Sequence, residues 1–259
     1  MKGGFRLISA IILAGSDNDG SLKECSDATS EALIKIGDKT MVEYVINALE
    51  EAKEIQKIVI VGPKEDLDKL YHDRPHIITV ESGNSIINSL LQGINSLKED
   101  FAKQVLVVTA DIPLITGQII DDFLGLCRNK KRDVIYPIVS KEQNEKKFPG
   151  VKRTYAKLKE GVFTGGNIFI VNPNIVAQCA TFAEKIIALR KSPFKLVEFI
   201  GLSYVLKYIF GRLSITDAEK RVSELLGIQV EAVIVPYPEI GVDVDKPSDL
   251  DLATKILSI

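Results

Sequence analysis

Two hydrophobic rhythms alternate along the chain. Short, continuous runs rich in Val, Ile and Leu cover residues 7–13, 57–61, 77–80, 104–109 and 133–137, and they read as strands buried on both faces. Between them, apolar residues recur at helical spacing over residues 40–53, 65–71, 85–97 and 116–127. In the first of these segments Met41, Val45, Ile46 and Leu49 share one face. The alternation predicts an α/β protein with a mainly parallel sheet in a three-layer α/β/α arrangement. The second half follows a different pattern. Residues 140–159 are polar and rich in lysine and read as a solvated loop. Strand pattern returns at 168–171, and residues 174–226 are helical in pattern, broken at Ser192-Pro193 and Gly211. Because strand pattern comes back at 232–235, we read one domain over 1–259 with a helical insertion at about 174–226. The aromatic residues of that insertion, Phe194, Phe199, Tyr204, Tyr208 and Phe210, are expected to form a satellite core.

Composition narrows the function classes. The 259 residues carry 33 Lys and Arg against 35 Asp and Glu, a net charge of -2, which argues against a general nucleic-acid binder. Cys25, Cys127 and Cys179 are isolated, without zinc-ligand spacing, and His72 and His76 sit in a charged stretch that reads as a solvated loop. The apolar run at 7–13 reads as a first strand rather than a leader segment, and no stretch has the roughly 20 apolar residues of a membrane span. A cytoplasmic location is the expectation.

In such sheets ligands bind outside the carboxyl ends of the strands. The loops to search are therefore 14–30, 81–85, 110–114 and 241–247. Ala14-Gly15 ends the first strand, where a glycine lets backbone N–H groups approach a nucleotide; neither a Walker A loop nor G-x-G-x-x-G is present. Asp111, directly after a buried strand in Thr109-Ala-Asp-Ile-Pro-Leu114, suits a magnesium ligand better than a helix cap, a role Thr116 fills. In the extended segment Gly241-Val-Asp-Val-Asp245, Asp243 and Asp245 fall on the same side, and two like charges so close call for a cation. Ser248 is expected to cap the last helix, with Asp249 a first-turn charge.

Four segments then occur in order: Ala10-Ile-Ile-Leu-Ala-Gly15; Ala32-Leu33 with Gly37-x-Lys39-x-Met41-Val42-Glu43-Tyr44; Thr109 to Leu114; and Gly241 to Leu250. Together they resemble the MobA-like nucleotidyltransferases of the GT-A Rossmann-like, nucleotide-diphospho-sugar transferase fold. The resemblance implies a nucleoside triphosphate bound by Leu13, Ala14, Gly15 and Ser16, with its base near Gly83, Asn84 and Ser89. It implies Mg²⁺ held by Asp111 with Asp243 and Asp245, and a small phosphorylated acceptor contacted at Gly166 and Asn167. The chain departs from the family at Ser16-Asp-Asn-Asp-Gly20, which lacks the loop arginine, and at Glu31, where the family keeps a lysine. Lys23, Lys35 and Lys39 lie nearby in sequence and are the candidates to replace that catalytic lysine. Lys146, Lys147, Lys152 and Arg153 are read as solvated rather than as acceptor contacts. The expected activity is Mg²⁺-dependent transfer of a nucleoside monophosphate with pyrophosphate release. The alternatives are a catalytically degenerate nucleotide-binding regulator and a GT-A glycosyltransferase. The partners implied are a nucleoside triphosphate and the acceptor, with the chain either monomeric or a homodimer.

Overall fold

The computed structural model describes residues 7–97, 104–189 and 200–258. Through them runs a nine-stranded sheet. Its centre is β1 (Ile8–Leu13), flanked in parallel by β4 (Ile55–Gly62) and β6 (Val105–Thr109), with β5 (Ile77–Glu81) parallel to β4 at the edge. A two-stranded hairpin, β2 (Lys35–Ile36) and β3 (Lys39–Thr40), stands apart from it. On the other side of β6 the direction reverses. There β10 (Ile168–Val171) runs antiparallel to both β6 and β7 (Val134–Ser140), while β11 (Val230–Ile234) is parallel to β7. A hairpin of β8 (Ala156–Leu158) and β9 (Gly161–Gly165) joins through β9 to the end of β7.

The buried strand pattern predicted from sequence has a direct cause. Alternate residues of β1, β4 and β6 enter two different cores. Ala10, Ile12, Ile58, Ile60, Leu106 and Val108 face α1 (Met41–Glu51), α2 (Lys64–Tyr71) and α4 (Gly117–Cys127). Ile11, Val59, Val61, Val105 and Val107 face α3 (Ile86–Ser96) and the first turns of α6 (Pro173–Leu189). The mainly parallel three-layer α/β/α sheet expected from the sequence is the observed one. Helix starts are set locally: Ser85 accepts from Asn88 N–H, and Thr116 from Ile119 N–H, as its cap position predicts.

A third, smaller core lies under the loops at the carboxyl edge. It joins Leu22, Ile34, Ile36 and Leu114 to Phe148, Val242, Val244 and Ala253, the last from α9 (Pro247–Leu257). Here the structure corrects two expectations. The first is that α9 begins at Pro247 with Lys246 in the cap position, so Ser248 is not the cap: proline at the first helical position already supplies the right φ. The second is that the polar segment at 140–159 is not all loop. Ser140 caps a short α5 (Lys141–Lys147), which packs on β7 and β9 and has no apolar period long enough to signal it.

Beyond α6 come α7 (Leu202–Ile209) and α8 (Ile215–Leu226), the latter opened by a capping box of Ser214 and Asp217 and closed at Gly227, φ 68°. The satellite-core expectation fails on α7. Leu202, Leu206, Tyr208, Ile209 and Phe210 are all exposed, with Phe210 at 71%, while Phe194 and Phe199 lie outside the described residues. No helix among the described residues is long and apolar enough to cross a membrane.

Close packing of α3 on the sheet gives a stability test. A Cβ on Gly93 would lie 2.8 Å from Ile11 Cγ2 and 3.0 Å from Val61 Cγ2. Gly93→Val is expected to cost about 1–3 kcal/mol in denaturant unfolding by overpacking. Gly125→Ala, where a Cβ meets nothing within 4 Å, is expected to be neutral or stabilising by up to about 1 kcal/mol.

Candidate active site

Register fixes the site. Leu13 pairs with Val61 on one side and with Thr109 on the other, and Val61 pairs with Val80, so the loops after β1, β4, β5 and β6 leave the sheet at one level. Backbone bonds continue past the last strand pairs. Ala14 N–H donates to Val61 (2.7 Å), Ala110 N–H to Leu13 (3.0 Å) and Thr109 N–H to the Asn167 carbonyl (3.0 Å). Asn167 N–H donates to Ile240 (2.8 Å), and Val244 N–H donates to the Asp111 carbonyl (2.9 Å). That last bond lays the 241–245 segment across the loop after β6.

The loop after β1 is held by two residues that sequence reading passed over. Buried Asn18 donates through Nδ2 to the Ser26 and Ala28 carbonyls (2.8 and 3.0 Å), and Ser30 donates to the Ser16 carbonyl (2.9 Å). Gly15 is obligatory on space: a Cβ there would sit 2.7 Å from Ser82 Cβ. Across from it, Ser89 is buried and its hydroxyl accepts from Gly83 N–H at 3.0 Å, so Ser89 shapes the 83–85 turn as well as facing the cleft.

The alternation of Val242, Asp243, Val244 and Asp245 works as its period predicts. Both valines enter the small core and both aspartates turn toward the cleft. Asp111, Asp243 and Asp245 thereby offer carboxylate oxygens that all lie within 4.8 Å of one another. Thr109 Oγ1 donates to Asp111, Asp245 N–H donates to Oδ2 of the buried Asp249 (3.3 Å), and Ser21 Oγ donates to the Asp245 carbonyl (2.8 Å). Asp249 is thus a brace for Asp245 and not just a first-turn charge. Burial raises the pKa of Asp111, with Thr109 pulling against it and Asp245 adding to it. Asp243 is pushed up to about 7, chiefly by burial, with Arg153 opposing and Asp111 and Asp245 contributing. Glu31 lines the same cleft; its pKa is raised by burial first and then by Asp111 and Asp245.

The cleft encloses about 610 Å³, the size of a small-molecule site. Leu13, Ala14, Gly15, Ser16, Gly83, Asn84, Ser89, Asp111, Gly166, Asn167, Asp243 and Asp245 line it together. Lys23, Lys35 and Lys39 do not. All three are exposed, Lys23 in a turn at Ser21–Glu24 and Lys35 and Lys39 on the β2–β3 hairpin, Lys39 lying 5.7 Å from the Tyr44 ring. The cation next to the acids is Arg153, paired with Asp243, which corrects its reading as part of a solvated loop. Tyr136 and Phe169 also face the cleft, and the sequence reading named neither. Tyr136 explains a glycine: a Cβ on Gly165 would fall 2.2 Å from its hydroxyl.

A family model for the MobA-like NTP transferase domain matches residues 10–191. The chain belongs to the MobA-like NTP transferase family. A solved hypothetical transferase from Thermus thermophilus is 35% identical, superposes with a TM-score of 0.80 and aligns over 94% of this chain and 99% of that one. The chain is 28% identical over 134 residues to a 2-C-methyl-D-erythritol 4-phosphate cytidylyltransferase of Lachnoclostridium phytofermentans (49% of this chain, 55% of that protein). It is 25% identical over 134 residues to a probable molybdenum cofactor guanylyltransferase of Natranaerobius thermophilus (51% and 61%). The chain thus spans between about half and three-fifths of the length of these curated relatives. The acid cluster stands at the carboxyl edge of the sheet, in the same cleft as Glu31 and the turn after β1.

The cluster predicts a linked dependence on pH and metal. Folded Asp243 titrates near 7 and unfolded near 3.8, so between those values the folded state binds the extra proton. Its contribution to stability is present at low pH and is lost as pH rises through 7. A divalent cation relieves the repulsion, so the gain in melting temperature from Mg²⁺ is expected to be larger at pH 8 than at pH 5.5, measured at constant ionic strength. Equal gains at both pH values would contradict the cluster.

Proposed function

We propose that this chain is a nucleotidyltransferase that moves a nucleoside monophosphate from a nucleoside triphosphate to a small, phosphorylated acceptor, with release of pyrophosphate. The observation that carries the reading is the convergence of three carboxylates at the mouth of a cleft whose other wall is the glycine turn after β1. Family membership supports the class of reaction.

Three carboxylates and no sulfur or imidazole make a hard, oxygen-only donor set, which fits Mg²⁺. On this reading Asp111, Asp243 and Asp245 hold the ion, which when bound neutralises phosphate charge. The chain's own residues do the positioning. The turn from Leu13 to Ser16, fixed by Asn18 and Ser30, takes the phosphates; Gly83, Asn84 and Ser89 face the base; Gly166 and Asn167 face the acceptor. An acceptor oxygen then bonds to the α-phosphorus as the bond to the β-phosphate oxygen breaks. Such transfer depends on alignment and charge stabilisation rather than on a covalent nucleophile. No lysine of the three candidates enters this scheme, and nucleic acid has no part in it. The helices between β10 and β11 are read as an insertion in a single transferase domain.

Glu31 favours one second reading, binding without turnover, because a carboxylate there repels a triphosphate. The two readings separate in one experiment. Thermal shifts with CTP, GTP, UTP and ATP, each with and without Mg²⁺, are expected to single out one triphosphate whose effect needs the ion. That nucleotide with a panel of sugar and polyol phosphates is expected to release pyrophosphate, and Asp111→Asn to lower the rate by about 10²-fold or more. Stabilisation without pyrophosphate from any acceptor would support the binding-only reading, and unchanged turnover in Asp111→Asn would sink the metal assignment.

A further inference from the structure

A second recess, of about 370 Å³, adjoins the main cleft and shares Asn167, Asp243 and Asp245 with it. Its other wall carries Lys152, Arg153 and Lys246, with Thr154 and Thr164 beside them. Arg153 is set deep. Its side chain is only 9% exposed, one terminal nitrogen donates to an Asp243 carboxylate oxygen and the other to the Asp243 carbonyl. Its Nε–H is buried with no partner among the described residues. A guanidinium carries five donors in a planar fork that suits phosphate. A buried cationic donor left without a partner carries a desolvation cost that a rearrangement onto an anion would relieve. Lys152 is exposed and pairs with no carboxylate among the described residues, while Lys246 lies 3.8 Å from Asp249.

The charge balance of the recess depends on the neighbouring acids. Lys152, Arg153 and Lys246 stand against Asp243, Asp245 and Asp249, so with no other ion the wall is near neutral and holds an anion weakly. A divalent cation on Asp111, Asp243 and Asp245 reverses this. It adds two positive charges and competes with Arg153 for Asp243, since both cannot take the same carboxylate oxygen in full.

We propose that the recess is an anion subsite for the acceptor's phosphomonoester, in which Arg153 gives up Asp243 to the divalent cation and takes the phosphate in exchange. The identity of the anion as the acceptor's phosphate rests on the nucleotidyltransferase reading; the coupling of anion to metal does not. The exchange makes acceptor binding conditional on a loaded metal site, and by reciprocity a bound phosphate tightens the metal. It also assigns Arg153 effects of opposite sign on two ligands: it competes with the cation and binds the anion.

Titration calorimetry of the full chain tests this with inorganic phosphate and Mg²⁺ as the probes. Phosphate is expected to bind at least about tenfold more tightly with saturating Mg²⁺ than without, and to remain bound when the triphosphate that stabilises the protein is added. Arg153→Gln is expected to lose phosphate binding by about tenfold or more while its Mg²⁺ affinity holds or rises. Arg153→Lys, which keeps the charge but not the fork, is expected to fall between. A residue that merely braces the fold would not separate the two ligands in this way. The proposal fails if phosphate affinity is unchanged in Arg153→Gln, if it is indifferent to Mg²⁺, or if the triphosphate displaces the phosphate, which would place it in the nucleotide half of the cleft. It also fails if Arg153→Gln loses both ligands together with melting temperature. Metal-coupled phosphate binding in a chain that binds no triphosphate would leave the subsite standing and overturn the nucleotidyltransferase reading instead.

Discussion

The backbone hydrogen bond from Val244 N–H to the Asp111 carbonyl is the constraint from which the site follows. It crosses between two segments far apart in sequence and fixes the spacing of three carboxylates that would otherwise separate. Like charges in a partly buried setting repel more strongly than in water. Some interaction must hold them, and here it is that backbone bond together with the packing of Val242 and Val244 into the small core beneath. The pKa values of Asp111 and Asp243 are raised, first by burial and in smaller part by the neighbouring carboxylates.

The sheet provides the platform on which that bond can form. Parallel β1, β4, β5 and β6 end level with one another because their register is fixed by valine, leucine and isoleucine side chains entering both cores. The reversal at β10 then brings Gly166 and Asn167 to the same edge from the opposite direction, and Asn167 bonds through its backbone to both Thr109 and Ile240. The loop after β6, the Gly166-Asn167 turn and the 240–245 segment are therefore coupled by main-chain bonds.

Legibility in the sequence tracks the physical origin of each feature. The strands and the four early helices were readable because period 2 and period 3.6 patterns follow directly from burial. Asp243 and Asp245 were readable because extended backbone places alternate residues on one side. The resemblance carried Gly83, Ser89, Gly166 and Asn167 into the cleft, although nothing in their local pattern required it. What sequence could not give were contacts between distant segments. Arg153 looked like one member of a solvated lysine-rich loop, and only the fold brings it to Asp243. Lys23, Lys35 and Lys39 looked close to the phosphate turn because they are close in sequence, yet the hairpin and turn that carry them face solvent. Asn18 and Ser30 organise their loop through bonds to backbone carbonyls, a role no composition or spacing announces. The exposed apolar stripe of α7 was misread for the same reason: a helical period shows which face is apolar, not what covers it.

Electrostatically the site is the reverse of a ready-made phosphate cradle. Glu31, Asp111, Asp243 and Asp245 make it acidic, with Arg153 as the internal counter-charge. A nucleotidyltransferase role for this cleft requires one divalent ion among the three aspartates. The direct measurement is anomalous scattering from crystals grown with Mn²⁺, alone and with the triphosphate that stabilises the protein most. A single anomalous peak at bonding distance from carboxylate oxygens of Asp111, Asp243 and Asp245 is the predicted result. An empty cluster at saturating Mn²⁺, or a peak bound elsewhere in the cleft, would contradict it.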